Sequence, residues 1–168
     1  MRYAGIKKVD IANGSGCRVS LYVQGCERHC KGCFNPETWD YTKGEEYTLE
    51  TQLEILRALD KSYIHGLSIL GGEPLKQDFN LLKLLQIVKY NFPTKTIWLY
   101  TGYKFEELTD TQLELLNYVD VLVDGEFVEN EKVLDLRLRG SLNQRIIDVK
   151  ETFEKHRVVL WEDKSGYY

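Results

Sequence analysis

At 168 residues the chain suits one domain around a single core, at roughly 150 residues per domain, and is too short for separate catalytic and accessory modules. Hydrophobic residues make up 43% and charged residues 29%, which excludes wholesale disorder and a fibrous architecture. With 22 basic and 26 acidic side chains the net charge is −4, so no long-range field draws the chain to phosphate backbones, and no nucleic-acid partner is expected.

The first ten residues, MRYAGIKKVD, are polar and lack the apolar stretch of a secretory signal, and later apolar runs are broken every few residues. No membrane association and a cytoplasmic location are therefore expected. From residue 17 on, short β-rich runs alternate with helical spacing, the pattern of an α/β protein with mostly parallel strands. Strands are expected over 18–23 (RVSLYV), 67–70 (LSIL), 96–100 (TIWLY) and 119–123 (VDVLV). Between them, Leu49, Leu53, Leu56 and Leu59 mark one helix face, and Leu81, Leu84, Leu85 and Val88 mark another that must end before Pro93. Thr109 and Gln112 form a capping box ahead of Leu113 and Leu116. The segment 137–149 opens with arginines and closes as a strand, 158–161 (VVLW) reads as an edge strand, and SGYY ends the chain. A full eight-fold barrel needs about 250 residues, so these units build at most an open, partial barrel or a small doubly wound sheet. In either, chemistry belongs at the carboxyl ends of the strands.

All four cysteines fall in the first fifth of the chain. Clustering of this kind, without a spread of bridging partners, points to a metal or redox centre rather than to a disulfide framework. Cys26, Cys30 and Cys33 are spaced C-x3-C-x2-C directly after the first expected strand. Structural zinc is closed by four protein ligands, whereas a four-iron cube held by three thiolates keeps one iron open for a small molecule. Cys17 lies on the far side of a six-residue strand, roughly 20 Å away at about 3.3 Å per residue, and is expected to be a packed or loop residue. His29, beside Cys30, is expected to be a plain loop residue. Gly25 and Gly32 suit a loop that wraps an inorganic core with unusual dihedrals. After the second strand, Gly71 and Gly72 permit a tight turn near a ligand and Glu73 offers an acceptor to a cation; alone, that motif is a plain strand-to-helix turn.

The cysteine trio followed one β/α unit later by GGEP resembles the radical S-adenosylmethionine superfamily. Within it, VDIANGSG (9–16), GCERHCKGCFNPETW (25–39), GGEPL (71–75), IWLYTGY (97–103), VDVLVDGEF (119–127) and RGSLNQRIID (139–148) are similar to the activating proteins of anaerobic ribonucleoside-triphosphate reductase. The resemblance implies an α/β fold of the partial, open β/α-barrel type over a single domain, 1–168. It implies one 4Fe-4S cluster per chain on Cys26, Cys30 and Cys33, with S-adenosylmethionine at the open iron. Gly72 and Glu73 are the implied contacts to that molecule. Many members carry an aromatic residue just before the third cysteine; here Gly32 stands there and the aromatic is Phe34, so Gly32, Cys33 and Phe34 are expected to border the adenine. The implied activity is that of an oxidoreductase: S-adenosylmethionine is reductively cleaved to methionine and a 5′-deoxyadenosyl radical, which takes a hydrogen from one glycine of the large reductase. A low-potential donor such as flavodoxin is the implied electron source, and no catalytic acid or base is singled out. Arg137, Arg139 and Arg145 around RGSLNQ, with Asp124 and Gly125, either border the site or serve turns. Trp39, Trp98 and Tyr100 are expected in the core or its rim. Another small radical enzyme, either a different glycyl-radical activase or a deazapurine synthase, shares the cysteine spacing. A zinc-stabilised binding module without turnover is the rival of a different class.

Overall fold

The computed structural model describes residues 1–77, 79–133 and 135–163, so SGYY lies outside the described residues. Among the described residues, seven strands form one sheet in the order β3-β1-β2-β4-β5-β6-β7. They are β1 (Arg2–Asp10), β2 (Arg18–Val23), β3 (Glu45–Glu46), β4 (Gly66–Gly71), β5 (Thr96–Tyr100), β6 (Val121–Asp124) and β7 (Arg145–Asp148). The four central strands, β2, β4, β5 and β6, run parallel, as their apolar runs demand. Three antiparallel strands flank them, β1 and β3 at one edge and β7 at the other. Parallel neighbours need crossovers, and these are α1 (Leu49–Leu59), α2 (Phe79–Asn91) and α3 (Asp110–Leu116), with α4 (Val149–Lys155) after β7.

Residues from all four helices enter one core with the sheet: Ile55 and Leu59, Leu81, Leu84, Leu85 and Val88, Leu116, and Val149 pack on Val19, Leu21, Leu67, Ile69, Ile97, Leu99 and Leu122. Alternate strand positions face the other way, and there Trp98, Val121, Val123 and Leu138 form a second, smaller cluster. Helices on a single face set this sheet apart from the doubly wound alternative. The same second face carries Arg18, which is wholly buried. Its five N–H donors are all taken: Nε by Ser68 Oγ, Nη1 by Ser15 O and Thr96 Oγ1, Nη2 by Leu67 O and Thr96 O, at 2.7–3.0 Å. One guanidinium thus staples the amino ends of β2, β4 and β5.

Several expectations need correction. The strand expected over 119–123 begins at Val121, and the edge strand over 158–161 is reduced to an isolated bridge between Ile147 and Leu160. The apolar face of α1 is rotated: Thr51, Ile55, Ala58 and Leu59 are buried, while Leu49 is exposed. β1 went unforeseen because only Tyr3 and Asp10 of its nine residues are buried and its pairing with β2 is irregular in two places, which erases the alternation. By contrast α2 buries the four residues expected of it and stops at Asn91, and Thr109 caps α3 with Gln112 reaching back to the Thr109 N–H at 3.0 Å.

Candidate functional site

Because the central strands are parallel, the loops that follow them open at one edge of the sheet. The cysteine loop leaves β2, the glycine turn leaves β4, Thr101-Gly102-Tyr103 leaves β5, and Gly125-Glu126-Phe127 leaves β6. β7 runs the opposite way, pairing Arg145 with Asp124, so the RGSLNQ loop before it arrives at the same place. These loops enclose a cavity of about 330 Å³ lined by Cys26, Cys30 and Cys33 together with Gly72, Glu73 and Arg139. A larger cavity of about 800 Å³, bordered by His65, Thr96 and Trp161, lies at the opposite ends of the strands and contains no cysteine.

The cysteine loop is closed at its base, where the Gly25 and Cys26 N–H groups donate to Thr38 O and Trp39 O at 2.7 and 3.1 Å. Inside, Gln24 Nε2 donates to Glu37 O and Asp40 O, and the Cys33 N–H donates to Cys30 O at 3.1 Å. Gly25 and Gly32 take φ of +102° and +74°, the left-handed values that the wrapping loop calls for. The glycine turn lies directly against this loop: Gly72 N–H donates to Val23 O and Glu73 N–H to Gly25 O, both at 2.8 Å. A side chain on Gly72 would place its Cβ 2.3 Å from Gly25 O, so close approach of two backbones requires a glycine there.

Glu73 is buried, and its carboxylate is engaged by protein groups. Oε1 accepts from Leu75 N–H and Thr101 Oγ1, Oε2 from Gly102 N–H, at 2.7–3.0 Å. Burial pushes its carboxyl above the ordinary value against the opposing pull of these donors. Its visible work is to tie the glycine turn to the loop after β5. Phe34 and Cys33 line the cavity with Gly72 and Glu73, whereas Gly32 does not: it faces outward beside Glu129. Phe34 packs on Phe127 with ring centroids 5.0 Å apart.

Cys17 stands at the other end of β2, where its N–H donates to His65 Nδ1. His29 stacks on Trp39 at 4.6 Å, on the outer side of the cysteine loop. Trp98 is buried, Tyr100 and Trp39 are half-buried. Of the arginines, Arg139 lines the cavity and donates to Gln144 O at 2.7 Å, Arg145 is held by Glu106 and the buried Asp124, and Arg137 is exposed. Arg28 was not foreseen. Its side chain lines the cavity and its guanidinium lies 4.2 Å from the Tyr103 ring centroid, yet its buried Nε–H has no hydrogen-bond partner among the described residues. An orphaned donor of this kind costs about 1–3 kcal/mol.

The donor set fits an iron–sulfur cube. All three thiols are free and reach one cavity. Burial pushes the Cys30 thiol up to about 11, with the Glu126 carboxylate adding to it, and burial raises Cys26 as well. Thiolate is the ligand form, so loading of the site releases protons. Among the described residues no three Cys, His, Asp or Glu side chains gather around one point as ligands of a single ion do.

Comparison with known proteins agrees with this donor set. Residues 12–147 match the family model described as a 4Fe-4S single cluster domain. The chain is 44% identical to the anaerobic ribonucleoside-triphosphate reductase-activating protein of Enterobacteria phage T4 over 93% of its own length and 99% of that protein. It is 44% identical to the protein of the same name from Vibrio cholerae, over 87% and 97% of the two chains. The corresponding Escherichia coli K12 protein is 40% identical, over 86% and 96%. With a three-cysteine cavity at the strand ends and relatives matched almost from end to end, this chain belongs to the family of anaerobic ribonucleoside-triphosphate reductase-activating proteins and carries its 4Fe-4S domain.

Proposed function

We propose that this chain activates anaerobic ribonucleoside-triphosphate reductase by generating a glycyl radical on it. It would act in the cytoplasm as a radical S-adenosylmethionine oxidoreductase, with a low-potential donor such as flavodoxin. The observation that carries the reading is the convergence of Cys26, Cys30 and Cys33 with the Gly71–Gly72–Glu73 turn in one cavity at the carboxyl ends of parallel strands. The whole chain, 1–168, is read as one domain whose open sheet is a partial barrel.

Cys26, Cys30 and Cys33 would hold the cluster. When bound, it supplies one electron for the reductive cleavage of S-adenosylmethionine to methionine and a 5′-deoxyadenosyl radical, which abstracts hydrogen from the Cα of a reductase glycine. The chain's own residues hold and orient the reactants. Gly72 would contact S-adenosylmethionine; its N–H bonds to Val23 O at the end of β2 and the neighbouring Glu73 N–H to Gly25 O of the cysteine loop, both at 2.8 Å, which supports holding that contact beside the cysteines. Glu73, with its carboxylate committed to Thr101, Gly102 and Leu75, contributes by holding three loops in register. Cys33 and Phe34 border the adenine in this reading; Gly32, outside the cavity lining, shapes the loop through its left-handed backbone. Leu70, Tyr100, Phe34 and Phe127 give the cavity apolar walls, with Phe34 at its exposed rim. β3 and β7 end the sheet without pairing to each other, which leaves a side entrance for a loop of a large partner.

The test combines anaerobically reconstituted protein, S-adenosylmethionine, a strong reductant and the reductase. A glycyl doublet in the electron paramagnetic resonance spectrum is expected; its absence with fully loaded protein overturns the proposal.

A further inference from the structure

Arg28 sits midway between Cys26 and Cys30, yet its side chain turns inward over the loops after β4, β5 and β6. The guanidinium lies over the Tyr103 ring, Nη1 is 3.7 Å from Glu126 Oε2, and Nε is 4.0 Å from Glu73 Oε2. Both ionic separations exceed hydrogen-bond range, so they hold the group by charge and leave the Nε–H undelivered. Glu73 already accepts from three other donors, which explains why it does not close on Arg28. Room for the side chain comes from Gly102, where a Cβ would lie 2.3 Å from Arg28 Cδ. Of the charged side chains lining the cavity, Arg28 and Arg139 are cationic and Glu73 anionic; Arg139 Nη1 is engaged by the Gln144 carbonyl.

We infer that Arg28 is a positioning residue that clamps the cysteine loop over the strand ends and sets a fixed positive charge beside the anionic cluster, favouring its one-electron-reduced form. The inference uses the functional reading above in one respect, that the three cysteines hold the cluster. Adding an electron to a cluster near the buried Glu73 and the half-exposed Glu126 is opposed by the field of their carboxylates, and a largely buried guanidinium held between them offsets it. A neutral side chain removes that offset.

The test is a redox titration of the full, anaerobically reconstituted chain without S-adenosylmethionine, followed by absorbance and electron paramagnetic resonance, alongside iron and sulfide analysis. Arg28→Gln is expected to carry the cluster but to hold about tenfold less of it reduced at a given solution potential, a shift of about 59 mV to more negative values. Arg28→Lys, which keeps the charge, is expected to recover part of the shift. Equal potentials in fully loaded wild type and Arg28→Gln overturn the inference. So does a shift that emerges only when S-adenosylmethionine is added, because the acceptor is then its carboxylate. If Arg28→Gln does not load, Gly102→Ala serves instead, since it displaces Arg28 from its seat; an unshifted potential there overturns the inference equally. Wild-type chain that takes up no iron and sulfide sinks both this inference and the functional reading, whereas a glycyl doublet from a variant with unchanged potential sinks this one alone.

Discussion

The cysteine cluster was legible in the sequence because three thiols at spacings of four and three residues cannot be spread over a fold; short chain length alone brings them together. Cys17, nine residues before Cys26, is separated from it by the length of β2 and packs beside the main core instead. Cys30→Ala is therefore expected to lose bound iron and the glycyl signal, while Cys17→Ala retains both, as read by iron and sulfide analysis with electron paramagnetic resonance. Gly72 was legible as a turn residue, but the demand on it is contact between loops. Gly72→Ala, with Cβ set against Gly25 O, is expected to lower stability by about 1–3 kcal/mol in denaturant titration and to loosen cluster retention. Arg28 and the true partners of Glu73 were illegible. A charged residue in a polar loop looks solvated, and the groups that engage it, Gly102, Tyr103 and Glu126, lie more than 70 residues away in the chain.

At the scale of elements, α2 and the capped start of α3 were read correctly, whereas the buried face of α1 and the existence of α4 were not. α2 presents Leu81, Leu84, Leu85 and Val88 at helical spacing with no competing face. In α1, leucines occur on two sides, and tertiary packing selects the side with Ile55 and Ala58. α4 is short and charged, and only its docking through Val149 and Thr152 makes it an element. The junction of β6, β7 and the loop after β5 depends on a charge network that no local pattern announces. Asp124, buried, accepts from Phe105 N–H at 2.8 Å and from Arg145 Nε at 3.0 Å, and Arg145 also pairs with Glu106. The hydrogen bond from Arg145 holds the Glu106 carboxyl down at about 2 from its ordinary 4.5. A carboxyl depressed in the folded state stabilises above its unfolded value, and that contribution disappears as pH falls through the folded one. Between about pH 4.5 and 2 the melting temperature of wild type is expected to fall toward that of Glu106→Gln, measured on identically prepared protein; a constant difference over that window contradicts the assignment.

For the whole molecule, the chain by itself determined that strands alternate with helices, that the central strands lie parallel, and that two chemistry-bearing loops follow two of those strands. These are consequences of local periodicity and of the rule that parallel strands need crossovers. Only the tertiary structure decided that all four helices cover one face, that a buried Arg18 cross-links three strands from the other, and that an unforeseen β1 joins β2 to extend the sheet. It also decided which groups meet at the cavity, since Arg28, Glu73, Gly102 and Arg139 come from four separate loops. The division has one physical origin. Spacing within a few residues is fixed by bond geometry and survives in the sequence, whereas hydrogen bonds and charge pairs between distant loops exist only once hydrophobic burial has assembled the sheet that brings those loops to one edge.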